Sequence, residues 1–259
     1  MRTVLWLIGA AGLVASVDLA PARSSGPFAP QEPVSYTGPL KAPFKVGEKL
    51  TYAAKVNFMN AGNASMSVEG IEPIRGRPTY HTIFDVKGRV LFFHVDDHYE
   101  SWFDTTNLVS LHHVQHIDET GHDIDKTYDF YPERRVYVRN GEEKPSVAEP
   151  LDEGSFIYFM RSVPLEVGKT YRFDRYYQPD KNPVIIRVDR REHIKVPAGE
   201  FDAIVLQPII KSKGLFGENG KAEVWFSDDS ARTLLKLKSS LPVGTLYLEL
   251  KQAEYAVRK

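Results

Sequence analysis

Five of the eight histidines lie between His98 and His122, and the run His112-His113-Val114-Gln115-His116 has the density of a metal site. Strand geometry argues against one. Residues four apart on a strand share a face but stand about 13 Å apart, whereas zinc holds its ligand nitrogens at about 2 Å. Position 113 is His rather than Glu, so the zinc-peptidase HExxH pattern also fails. No metal ligands and no cofactor are expected from these residues. A hairpin turning at Glu119-Thr120-Gly121-His122 accounts for them better. With Ile117 opposite Ile124, one face pairs Gln115, His113 and Leu111 with Lys126, Tyr128 and Phe130. The other face pairs His116 with Asp125 and His112 with Asp129. Such cross-strand pairs steady a solvated sheet face; a pH-responsive surface or adventitious metal binding is the alternative.

Other chemistry is thin. The sequence has no GxSxG elbow, phosphate-cradling glycine loop or dinucleotide fingerprint. Ser155 follows Gly154, but any Ser–His–Asp site would have to be assembled in space. The absence of cysteine removes disulfides, thiolate metal sites and cysteine nucleophiles. Asp96-Asp97 and Asp228-Asp229 are adjacent pairs, so they point to opposite faces or sit in turns rather than flank a glycosidic bond. No catalytic residue is expected. The alternation of Arg187, Arg190, Arg191, His193 and Lys195 with Asp189 and Glu192 suits a solvated strand edge better than an anion site. Thirty-three Lys+Arg against thirty-four Asp+Glu give a net charge of −1, without the basic excess of a nucleic-acid binder. In the loop Lys211–Gly220, Leu215 and Phe216 sit between glycines. They form either a lid over a cavity or a contact for a membrane or partner, or an insertion into the core. The residues expected to contact an apolar or amphiphilic ligand are Leu215, Phe216, Trp225, Phe58 and Tyr158.

These side chains must be positioned mainly by strands. Leu50, Tyr52, Ala54, Val56 and Phe58 alternate with Thr51, Lys55 and Asn57, a period of two. Similar runs recur to the C-terminus, among them Tyr80–Val86, Val90–Val95, Tyr99–Phe103 and Leu246–Leu250, with Gly, Pro, Asn and Asp in nearly every gap. The expected fold is all-β: an antiparallel, multi-stranded curved sheet (barrel, clam or β-spiral) with one short central helix. That helix is placed at 152–162, where Asp152 and Glu153 suit an N-terminus. Residues 43–52 (PFKVGEKLTY) echo 164–173 (PLEVGKTYRF), so two similar halves, 44–150 and 164–259, are possible within the single β domain 44–259.

The N-terminus reads as an address. Arg2 is followed by an uncharged run from Thr3 to Val17, and Ala20-Pro21-Ala22 offers a cleavage site. Residues 1–22 are expected to be a signal peptide, 23–43 a Pro/Gly/Ser-rich tether, and the protein periplasmic, with no later membrane span.

Several segments, in order along nearly the whole chain, resemble the DUF3108 family of exported bacterial proteins. They are Phe44-x-Val46-Gly47-Glu48-x-Leu50-x-Tyr52; Asp152-x-x-Ser155-x-x-Tyr158-x-x-Arg161 with Pro164-Leu165 and Gly168; Val196-Pro197-Ala198-Gly199-x-Phe201-x-Ala203; Gly220-Lys221 leading to Val224-Trp225-Phe226-Ser227-x-Asp229; and Val243-Gly244. The family often has Leu between the Asp and Ser of the central segment, where this chain has Glu153-Gly154. The resemblance implies export and an all-β fold, with no assigned activity. The functional expectation is a non-catalytic envelope protein that binds a lipid, another amphiphilic small molecule, or an envelope partner. The alternatives are a structural interaction module using a sheet edge and, less favoured, a peptidoglycan or polysaccharide hydrolase.

Overall fold

A computed structural model describes residues 32–90, 92–211, 216, 220–241 and 244–255. The expected signal peptide, the start of the tether, and Leu215 lie outside the described residues. Before the helix run β1 (Val34–Ser35), β2 (Lys49–Val56), β3 (Met59–Ile74), β4 (Arg77–Val90), β5 (Phe93–Asp104), β6 (Ser110–Glu119), β7 (His122–Tyr131), β8 (Val136–Arg139) and β9 (Glu142–Pro145). Helix α1 (Glu153–Ser162) follows, then β10 (Thr170–Phe173), β11 (Val184–Val196), β12 (Gly199–Ile209), β13 (Ala222–Ser227), β14 (Leu234–Leu241) and β15 (Gly244–Glu254).

All fifteen strands form one curved sheet in the order β1-β10-β11-β12-β13-β14-β15-β2-β3-β4-β5-β6-β7-β8-β9. Each neighbouring pair is antiparallel except β1 with β10. It is a meander whose last strand, β15, pairs with β2, so the strands before and after α1 belong to one sheet. Period-two side chains explain the faces. Leu50, Tyr52 and Ala54 of β2 and Ala64, Met66 and Val68 of β3 are buried on the inner side, and polar residues alternate outward. The β6–β7 hairpin has the expected register, with Ile117 opposite Ile124, His116 opposite Asp125 and His112 opposite Asp129. One expected strand is different. Val90–Val95 is divided by a turn, because Val90 pairs with Phe93. No Gly, Asn, Asp or Pro marks that turn, which is why the alternation ran through it.

Helix α1 fills the inside of the curve. Its residues Ser155–Ser162 are all buried, as expected for a helix covered on every side. The sheet is not closed by strand pairing. Its ends, two-residue β1 and four-residue β9 (Glu-Glu-Lys-Pro), are bridged by irregular chain. Leu151 N–H donates to Arg175 O (2.7 Å), Tyr177 N–H to Leu151 O (3.2 Å) and the Ser146 hydroxyl to Tyr177 O (2.9 Å). Tyr177 then packs edge-on against Tyr128, Phe130 and Tyr137.

Candidate functional site

At the start of α1 the chain does bring serine, histidine and aspartate together. Asp152 is fully buried and takes the hydroxyls of Ser101 and Ser110, both at 2.7 Å. It also accepts from the N–H groups of Gly154 (2.8 Å) and Ser155 (2.9 Å), while the Ser155 hydroxyl accepts from the Asp152 N–H (3.0 Å), completing a capping box. His113 Nδ1 lies 2.7 Å from the Glu100 carbonyl, which can only accept, so the proton resides there. Nε2 accepts from the Gln115 amide at 2.9 Å. His113 therefore has no free lone pair to receive the Ser101 proton, and Asp152 orients serine rather than histidine. With Ser101 and His113 each 1 % exposed, the wiring holds a helix and lacks the base–nucleophile relay of a hydrolase.

The remaining residues of the central segment extend this role. The Tyr158 hydroxyl donates to Ser67 O of β3 (3.1 Å), and burial raises the pKa of its phenol. Arg161 meets Glu48 with two nitrogens at 2.6 and 2.9 Å and also donates to Ala231 O (3.1 Å). Gly154 is required by close approach, since a Cβ there would lie 2.4 Å from Ser101 Oγ. Glu153 receives the Tyr176 hydroxyl at 2.8 Å. The Glu-Gly departure thus serves the same attachment.

Of the expected ligand contacts, Tyr158 and Phe216 face the core, and Phe216 sits edge-on to Phe156. Trp225 lies on the outer face, where its indole donates to Glu192 (2.6 Å) and Lys236 Nζ stands 5.1 Å above the ring. Lys236 also stands 5.7 Å from the Tyr247 ring, on which exposed Phe58 stacks at 5.0 Å. Phe58 and Trp225 therefore end one outer row, and Tyr158 and Phe216 belong to the interior.

A groove that sequence reasoning missed opens elsewhere. It has a volume of about 390 Å³ and lies where the β11–β12 turn, the β13–β14 turn and the end of β15 meet. Phe201, Leu250, Ala253 and Tyr255 give it apolar walls, and Ser227, Thr233, Gln252 and Lys251 supply polar groups. Asp229 also lines it, but its Oδ1 is engaged by the Ser227 hydroxyl (2.7 Å) and the N–H groups of Ala231 (2.9 Å) and Arg232 (3.1 Å). The Tyr255 hydroxyl lies 3.0 Å from Thr233 Oγ1. Two of the segments that carried the family resemblance, around Ala198-Gly199-x-Phe201 and Ser227-x-Asp229, thus converge here. The two segments and the strand run Leu246–Leu250 were legible in the sequence, but their meeting was not.

The outer face of β4–β7 carries His98, His112 and His116. His98 Nδ1 lies 2.7 Å from Asp85, His116 Nδ1 2.8 Å from Asp125, and His112 Nδ1 2.9 Å from Asp129. Among the described residues no group of three or more His, Asp or Glu is placed to hold a metal ion. On the inner face, burial pushes the Asp97 carboxyl up to about 6, against a hydrogen bond from the Tyr99 hydroxyl at 3.0 Å.

The family model described as "Protein of unknown function (DUF3108)" matches residues 51–251. The chain belongs to that family. Two solved structures are similar to this DUF3108 protein. One is a beta-barrel-like protein of domain of unknown function DUF1849 from Brucella abortus, with 7 % identity, 82 % of this chain and 99 % of that chain covered, and a TM-score of 0.48. The other is a candidate lipoprotein from Parabacteroides distasonis, with 12 % identity, 83 % and 99 % coverage, and a TM-score of 0.36. No curated protein matches the chain.

Proposed function

We propose that this DUF3108 protein is exported to the periplasm and binds an apolar or amphiphilic ligand without transforming it, in the groove formed by β11–β15. The groove carries the reading. Its apolar walls and adjoining hydroxyl, amide and ammonium groups suit a molecule with an acyl or aromatic part and a polar head. The inside of the sheet is filled by α1 and its packing partners, which favours this groove over a central cavity. The uncharged run Thr3–Val17 behind Arg2 supports export. The alternative of partner binding by a sheet edge has less support, because β9 is short, charged and ends in Pro145.

Native mass spectrometry of the protein purified from its own envelope, followed by solvent extraction, tests the proposal. A bound amphiphile in the wild type, reduced at least tenfold in Ala253→Trp, is the expected result. A ligand-free wild type, or equal loading of the variant, would sink it.

A further inference from the structure

A different surface lies at the opposite ends of the strands from the groove. Strands β2 and β4 run parallel to each other, so the β2–β3 and β4–β5 turns share one rim. Adjacent strands are about 4.8 Å apart, so these tips stand about 10 Å apart. They are level with each other, because Gly62 pairs with Gly88 three to four residues below each tip. The pairing is close: a Cβ on Gly88 would lie 2.5 Å from Ala61 O.

Phe92, in the β4–β5 turn, is 94 % exposed; Phe58, in the β2–β3 turn, and Met59, the first residue of β3, are 78 % and 52 % exposed. Two other hairpin turns on this rim, Thr120-Gly121 and Asn140-Gly141, have ordinary polar turn residues. Phe58 also contradicts its local backbone. Asn57 and Phe58 have φ of 47° and 68°, the two positive values of a tight hairpin turn whose second position favours glycine. The turn is nevertheless fixed. Asn57 N–H donates to Thr245 O and Thr245 N–H to Asn57 Oδ1, both at 2.9 Å, and the Phe58 ring lies on Tyr247. A bulky aromatic is thus held outward at a strained position, on a rigid support. Lys87 and Arg89 are exposed on β4 just below Phe92, and Lys55 is on β2 just below Phe58. Asp96 and Glu249 engage Lys87 and Lys55; Arg89 stands exposed beside Phe92.

We infer that these two hairpin tips form a membrane-docking rim, in which Phe58, Met59 and Phe92 enter the interfacial layer of an anionic bilayer and Arg89 meets a lipid phosphate. Protruding apolar tips beside an exposed cation fit a fluid surface. A protein partner would require a broad complementary face.

The lack of cysteine allows a clean test on the full chain. Phe58→Cys, Phe92→Cys and, at the opposite end of the strands, Glu133→Cys are each labelled with an environment-sensitive fluorophore. They are then mixed with phosphatidylglycerol–phosphatidylethanolamine vesicles. Labels at 58 and 92 are expected to shift to the blue and brighten at least twofold, with no change at 133. Silent labels at 58 and 92, an equal response at 133, or the same shift without vesicles at higher protein concentration overturns the inference. The last result would identify a second copy as the occupant. A stability-neutral variant completes the test. Phe58→Gly relieves the backbone strain, so paired with Phe92→Ser it should fold normally yet lose at least fivefold in vesicle partitioning; unchanged partitioning overturns the inference.

Discussion

At the scale of single residues, Arg161 and Glu48 show how a segment shared with a family can carry structure rather than chemistry. The guanidinium has no exposed side-chain surface and the carboxylate has 4 %. Both charges are removed from water, so their mutual hydrogen bonds offset a large desolvation cost. Burial opposes the charged Arg161, yet Glu48 raises its pKa on balance. Removing one partner leaves the other charge buried and unpaired. Arg161→Ala is therefore expected to lose about 3–5 kcal/mol of stability, read from urea midpoints. The paired replacement Glu48→Leu with Arg161→Met should lose much less. Equal losses for the two would refute the pair as the main source of the effect. The two residues lie 113 positions apart. Sequence showed each as part of a family-like segment, and nothing local announced that the segments touch.

At the scale of elements, the β6–β7 hairpin was the most legible. Side chains alternate strictly on a strand, so fixing Ile117 opposite Ile124 also fixes every His–Asp pair. The helix was legible in place but not from its period. Aromatics on all its sides hide any periodicity when every side is covered. The β4–β5 turn was missed because its tip has no turn-forming residue.

The histidines of β5 and β6 also predict a pH effect. Burial opposes the charge on His98, but hydrogen bonds to Asp85 and Glu100 raise its pKa on balance; Asp125 raises that of His116. A folded-state pKa above the unfolded value stabilises the fold below the unfolded pKa, near 6.5. That contribution fades as pH rises through the folded-state values. His98→Asn with His116→Asn should thus lower the thermal midpoint at pH 5.5 and have little effect at pH 8.5. Equal effects at both pH values would show that packing, rather than charge, accounts for the loss.

At the scale of the whole molecule, β15 pairs with β2, and α1 is bonded to β3, to Ser101 and Ser110 of β5 and β6, and to the β13–β14 turn. Strands before and after the helix therefore share one core. They are expected to unfold as one cooperative unit. Trp102 reports on β5 and Trp225 on β13. Phe replacements that leave one of these reporters at a time should give coincident fluorescence midpoints in urea. Separated midpoints would instead indicate two independently stable halves.

Strand character, hairpin register and helix position were legible in the order of residues. These follow from side-chain alternation, turn chemistry and capping, which act over a few residues. Long-range packing was needed to show that Ser101, His113 and Asp152 meet in a wiring without a free base, that β15 completes a groove with two distant turns, and that two exposed phenylalanines share a rim. Those outcomes depend on which strands become neighbours. That is settled by burying a common core across long sequence separations, as when the Tyr52 hydroxyl reaches Leu234 O, 182 residues away.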